Sequence, residues 1–190
     1  MKQNFKPHFL LVLVFISFVF GACKNSSKEI NDFLADKNLP IGVSENMHHV
    51  YKESGKVTSR LTTKLLWDYS NRKLNPYSEF PKGVKIVSIN KQTRDSITVL
   101  GNYAISFSTT SFSEIIGDVV ITNHKDGVVL NADQMYWDQK ENYFFTESAF
   151  TLFTKTDTLQ GVGFESNSAL DNWILNNTHG DFIVDNNTEE

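Results

Sequence analysis

One cysteine, Cys23, stands in 190 residues. That scarcity excludes a disulfide framework and a Cys-based zinc cluster. Proline is also sparse, at four residues against fifteen Phe, and so much apolar bulk offsets ordering entropy and argues against a disordered chain. Positive charge is in deficit: 18 Lys and Arg face 22 Asp and Glu, for a net −4 and a pI near 5.7. A chain of that sign does not bind nucleic acid by counterion release. There is no Gly-x-Ser-x-Gly elbow, no phosphate-binding glycine loop and no cysteine nucleophile apart from Cys23. What remains is 40% hydrophobic and 21% charged, the composition of a folded domain, at a length that suits one domain better than two.

The first segment reads as an address. Lys2 and Lys6 precede an apolar run from Phe9 to Phe20, with Ser17 its one polar residue, then Gly21, Ala22 and Cys23. Twelve helical residues rise only about 18 Å, short of the roughly 30 Å hydrocarbon core. A positive start, a short apolar run and a small-residue site make a secretory signal peptide over residues 1–22. With cysteine next, the site resembles a bacterial lipobox, in which the thiol of Cys23 is acylated before cleavage; Phe20 stands where such sites usually carry Leu. An uncleaved membrane anchor that happens to contain a cysteine is the other reading. Either way the rest of the chain lies outside the cytoplasm, tethered to a membrane. Cleavage before Cys23 leaves 190 − 22 = 168 residues, with 16 basic against 22 acidic, a formal −6. Residues 23–45 then form the lipidated cysteine and a polar, flexible tether, with a short helical turn around Ile30–Leu34.

From residue 46 to 186 the pattern is β. In Arg60–Asp68, Leu61, Thr63, Leu65 and Trp67 alternate with Arg60, Lys64 and Asp68. Turn signals recur at Glu53–Gly55, Lys82–Gly83, Lys125–Gly127 and Thr178–Gly180. Segments starting at Leu61, Leu100, Leu130 and Leu159 superpose, each with an aromatic five to seven positions on and a closing apolar strand. Stacked β units of this size predict an elongated, open-ended, all-β jellyroll of antiparallel strands with a continuous apolar interior. Open ends accept strands from a like-shaped partner.

The polar residues do not assemble a catalytic or metal centre. His48 and His49 are adjacent, so on a strand they point to opposite faces and do not chelate one ion. His124 and His179 fall in predicted turns. The carboxylate pairs Asp68/Glu79 and Asp133/Asp138 have the residue types of a glycosidase couple, but alternation makes most carboxylates outward-facing solubility residues. No cofactor is implied.

The set Gly117–Asn123, Gly127, Val129–Asp133 and Met135–Asp138 resembles the LptC/LptA/OstA group, the periplasmic bridge proteins of lipopolysaccharide export. Arg60–Leu66, Tyr77–Gly83 and Gly161–Glu165 extend the likeness toward LptC, most of all the lipoprotein-type versions of Bacteroidota-type bacteria, over roughly residues 46–185. The resemblance implies a β-jellyroll without catalysis. Such a protein takes lipopolysaccharide from the inner-membrane ABC transporter, shields its acyl chains, and hands it to an LptA-like bridge protein. It also implies a periplasmic location at the inner membrane, although a lipobox stands here where the familiar family member has a transmembrane helix, which leaves the outer membrane open. A lipoprotein binding another lipid, or a solidly packed envelope scaffold, are the rival readings.

Alternation alone nominates the acyl-chain lining: Leu61, Leu65, Trp67, Val84, Ile86, Val119, Ile121, Leu130, Ala132, Phe150, Leu152 and Phe182. Each serves equally well as plain core.

Overall fold

The structure, a computed structural model, describes residues 26–181. Those residues hold one helix, α1 (Ser27–Asp36), and twelve strands. These are β1 (Gly42–Glu53), β2 (Lys56–Tyr69), β3 (Tyr77–Phe80), β4 (Val84–Ile89), β5 (Ser96–Gly101), β6 (Tyr103–Phe107), β7 (Phe112–Asn123), β8 (Val129–Asp138), β9 (Tyr143–Phe153), β10 (Thr158–Asn167), β11 (Trp173–Leu175) and β12 (His179–Asp181). Every pairing is antiparallel, as the open β-jellyroll predicted from the sequence requires.

Local chemistry makes the reversals. Ser54 and Gly55 both take positive φ, 50° and 78°, the paired left-handed geometry of a tight hairpin between β1 and β2. Elsewhere a side chain at the strand end satisfies the turn's backbone. Asn90 accepts from the N–H of Gln92 and Thr93, Asn123 from Lys125 and Asp126, Asp138 from Lys140 and Glu141, and Thr154 from Thr156 and Asp157. These Asx- and hydroxyl-capped turns hold the chain reversed without needing a particular loop length.

The topology encloses a space. From β2 the sheet reaches β7 by two routes, through β4 and β5 and through β3 and β6. The first route uses Ser59–Thr63 of β2 and Val120–Asn123 of β7, and the second uses Trp67–Tyr69 and Phe112–Ile116. Two layers therefore face each other, joined along a bend that the long strands cross. In β7 the bend is the bulge at Gly117 and Asp118, with φ of 76° and 47°. Asn102 clamps it: its N–H donates to the Ile116 and Gly117 carbonyls, and its side-chain amide donates to Asp118 at 2.7 Å. In β8 and β10 the register also shifts at mid-strand, between Ala132 and Tyr136 and between Val162 and Phe164.

The core fills the angle between the layers. From the first layer it takes Val84, Val99, Val119, Ile121, Leu130, Phe150, Leu152 and Leu159, and from the second Phe80, Ala104, Ile115, Met135, Phe144 and Phe164. Several sequence expectations change here. Residues 27–36 are a ten-residue helix capped by Ser26, not a tether with a single turn, and the β body starts at Gly42 instead of residue 46. The cap is the serine hydroxyl, which accepts from Glu29 N–H at 3.2 Å. The repeat alignment slips at Leu100. It pairs with Lys85 and Val120 on the outer face while Val99 takes the inward place beside Ile86 and Ile121. Thr178–Gly180 is no turn, since His179–Asp181 pairs with β10 as β12.

Candidate functional site: a cleft between the two layers

At the N-terminal half of the body the layers part around a cleft of about 650 Å³. Its floor, toward the bend, is apolar. Leu61, Val84 and Ile86 come from the first layer, and Phe80, Ala104 and Ile115 from the second. Cross-strand register explains the grouping: Leu61 lies opposite Ile86, and Phe80 opposite Ala104, which in turn lies opposite Ile115.

Toward the mouth the side chains are hydroxyls. Ser78, Ser106 and Ser113 are mutually opposite on β3, β6 and β7, and Ser59 faces Ser88 on β2 and β4. All five line the cleft. Gln139 donates to Ser113 at 3.0 Å, and Ser113 to Ser106 at 2.9 Å. Serine is too short to bridge the gap between layers, so this row is where the cleft stays open. The same row continues into Trp137, opposite Ser113, and then Phe144. The indole Nε1 of Trp137 is sealed from solvent and finds no acceptor among the described residues.

Past Trp137 the interior is full. Met135, Phe144, Phe164 and Leu170 are each at most 1% exposed. Leu170 comes from the β10–β11 connection and holds a left-handed φ of 55°, a strain of roughly 1–3 kcal/mol for a non-glycine residue. The Asn123 amide donates to the neighbouring Ala169 carbonyl at 3.0 Å and ties that loop to the β7 end.

The nominated lining residues divide accordingly. Leu61, Val84 and Ile86 line the cleft. Ile121, Leu130 and Leu152 are fully buried in the closed half, and Val119, Ala132 and Phe150 border a smaller hollow of about 310 Å³ at the bend. Trp67 lies opposite Glu79, on the face away from Phe80, and Leu65 is buried outside the core cluster. The cause is the bend in β2. Thr63 faces inward opposite Val84, but Leu66 is the next residue of β2 packed on the core, so the alternation changes phase between them. The Thr63 hydroxyl bonds the Leu65 and Gly83 carbonyls at that corner. Cys23 and Phe182 lie outside the described residues. The second wall, with Phe80, Ala104, Ile115 and Trp137, escapes a reading by repeat. Its signal is the run of serines at alternate positions, Ser106 and Ser108 among them.

The histidines and the Asp68/Glu79 pair do not gather into one site. His48 bonds Thr62 while the His49 ring lies 4.2 Å from that of Tyr51, which puts the two histidines on opposite faces. His124 bonds the Thr98 hydroxyl at 2.7 Å. Asp68 lies opposite Ser78 whereas Glu79 lies opposite Trp67, so those carboxylates do not converge. Among the described residues no three His, Cys, Asp or Glu groups gather to hold a metal. On the outer face of the second layer, Tyr136 stacks between Phe112 and Phe145, at 5.7 and 5.1 Å. Beside it Tyr103 donates to Glu79 at 3.0 Å, and burial together with that carboxylate pushes its hydroxyl up to about 12.

Both ends of the stack present unpaired strand edges. Among the described residues β1 pairs only with β2, and β11 and β12 only with β10. β1 offers an edge of twelve residues, most of them exposed.

No curated protein matches the chain. The model of one family, described as lipopolysaccharide-assembly, LptC-related, matches residues 9–179, nearly the whole chain. With its antiparallel all-β fold and a match over that span, the chain belongs to the LptC-related family of lipopolysaccharide assembly.

Proposed function

We propose that this protein is a membrane-anchored periplasmic component of lipopolysaccharide export. It receives the lipid from an inner-membrane ABC transporter and passes it along a β-jellyroll bridge. The observation that carries the reading is the cleft itself, apolar at the bend and hydroxyl-lined at the mouth. Acyl chains enter the apolar angle, where each buried CH₂ contributes about 0.8 kcal/mol. The serine row meets the ester, amide and hydroxyl oxygens near the chain heads, and the sugars stay in water.

The strand edges supply the partners. β1 accepts a strand from the transporter side or β11–β12 one from an LptA-like bridge protein, and main-chain pairing gives affinity without a dedicated pocket. The protein performs no bond chemistry. ATP is hydrolysed by the transporter, and Cys23 carries the lipid anchor on the periplasmic side of the inner membrane.

Photo-crosslinking in living cells tests this, with the probe at Ile86 in the cleft and at exposed Lys64 as control. A lipopolysaccharide adduct at Ile86 alone, dependent on cellular ATP, is the expected result. A folded, well-expressed protein with no adduct at Ile86 or Leu61 overturns the reading. The filled interior past Trp137 favours one alternative, an envelope lipoprotein that holds another lipid in a dead-ended cleft. An ATP-independent phospholipid adduct at Ile86 identifies that case.

A further inference from the structure

Helix α1 has an unusual balance for a structured element. It is ten residues long and none of its residues is buried. Helices this short are marginal in water on propensity alone and depend on packing an apolar face. What holds α1 to the body is polar. The Arg72 guanidinium donates to the Ala35 carbonyl at 2.8 Å and to Asn38 at 2.7 Å, and Lys73 pairs with Asp32 at 3.5 Å. On the apolar face of the helix, Ile30, Phe33 and Leu34 at positions i, i+3 and i+4, only Leu34 is half-buried. Ile30 is 48% and Phe33 59% exposed.

The apolar exposure continues around that pole. Leu74, in the same loop as Arg72 and Lys73, is 85% exposed, and Leu39 beyond the helix is 45% exposed. The charge there also departs from the rest of the molecule. Lys28, Lys37, Arg72 and Lys73 against Glu29, Asp32 and Asp36 give +1, on a chain whose mature form carries −6.

We infer that α1 lies on the bilayer surface, with Ile30 and Phe33 in the headgroup–acyl boundary and Lys28 toward water. The occupant follows from chain length, and this step rests on the membrane anchoring proposed above. Only two residues, Lys24 and Asn25, separate Cys23 from the cap Ser26, which makes three Cα–Cα steps. At full extension they span about 11 Å, so the exposed face of α1 cannot stand far from the membrane that holds Cys23. The bilayer supplies the burial that the protein withholds, as for other interfacial helices. The short linker from α1 to β1 then keeps the open β1 edge close to the membrane.

The test is nitroxide accessibility on the full-length, membrane-extracted protein reconstituted in phosphatidylethanolamine–phosphatidylglycerol vesicles. Phe33→Cys, Ile30→Cys, Lys28→Cys and Thr156→Cys each carry the label, with mass spectrometry reporting what Cys23 bears and the unsubstituted protein as blank. Residues 30 and 33 are already exposed, so these variants leave the β body intact. The expected result is that labels at 33 and 30 collide severalfold more with oxygen than with a water-soluble nickel chelate, with the reverse at 28 and 156. A protein that floats with the vesicles while its labels at 33 and 30 read like that at 156 overturns this inference alone. A protein that does not float overturns the anchoring as well. An uncleaved apolar anchor in place of an acylated Cys23 leaves the helix at the same distance, and the same accessibility values decide.

Discussion

Gly101 and Ile115 meet so closely that a β-carbon on the glycine would overlap Ile115 Cγ2. Gly101 ends β5 just before the chain turns into β6, and Ile115 is fully buried on β7, which both strands flank. The contact draws the two layers together at the bend and so sets the angle of the cleft. Gly101→Ala is expected to cost about 1–3 kcal/mol, the usual effect of overpacking a filled core. Urea unfolding reads that loss. Ile115→Ala removes the opposing Cγ2, so the double variant should lose less than the sum of the two single losses, and additive losses would show that the two positions do not share the strain.

Arginine substitutions separate the open half of the interior from the closed half. Ile86→Arg sits beside a cleft with room for a side chain to reach water, so the protein is expected to fold and fail to load lipid. Leu130→Arg places a charge at a position with no exposure and no partner, which costs several kcal/mol and unfolds the body. Thermal melts and lipid crosslinking together check the contrast. A folded Leu130→Arg protein, or a fully loaded Ile86→Arg protein, would contradict the placement.

Tyr103 gives an alkaline signature. Its hydroxyl is held up to about 12, from an ordinary 10, by burial and by its bond to Glu79. The folded form therefore keeps the proton more tightly than the unfolded chain. That contribution to stability is complete below pH 10 and is lost as pH rises toward 12. Tyrosinate absorbance should show a late phase near pH 12 that Tyr103→Phe removes and Glu79→Gln moves down.

Cys23→Ala tests the anchor. Acyl labelling and membrane retention are both expected to vanish, as seen by fatty-acid incorporation and flotation. Unprocessed Cys23→Ala protein that stays in the membrane would instead identify residues 9–20 as a retained anchor.

The phase of β2 shows where sequence reading stops. Leu61, Thr63, Leu65 and Trp67 alternate without interruption, and nothing in their order marks the corner after Thr63. The corner arises because Thr63 and Leu66 serve different layers, with Val84 behind one and the Phe80 wall near the other. The Gly117–Asp118 bulge is easier to read, since glycine tolerates positive φ at little cost. Even there, the clamp by Asn102 depends on an approach across strands that no spacing encodes. For the same reason Ile121 and Ile86, alike in type and alternation, differ in fate: one is sealed in core and the other lines a cleft.

By itself the sequence determined the all-β class, most of the turns and the likeness to a lipopolysaccharide-export family. The first two follow from local rules, alternation and turn chemistry. Only the tertiary structure decided that the sheet doubles into two layers, which apolar residues pack and which stay open, and that α1 is a helix with an uncovered face. Those outcomes depend on what stands opposite each side chain across 5–10 Å of space. Serine facing serine leaves a gap there, and tryptophan facing phenylalanine closes it.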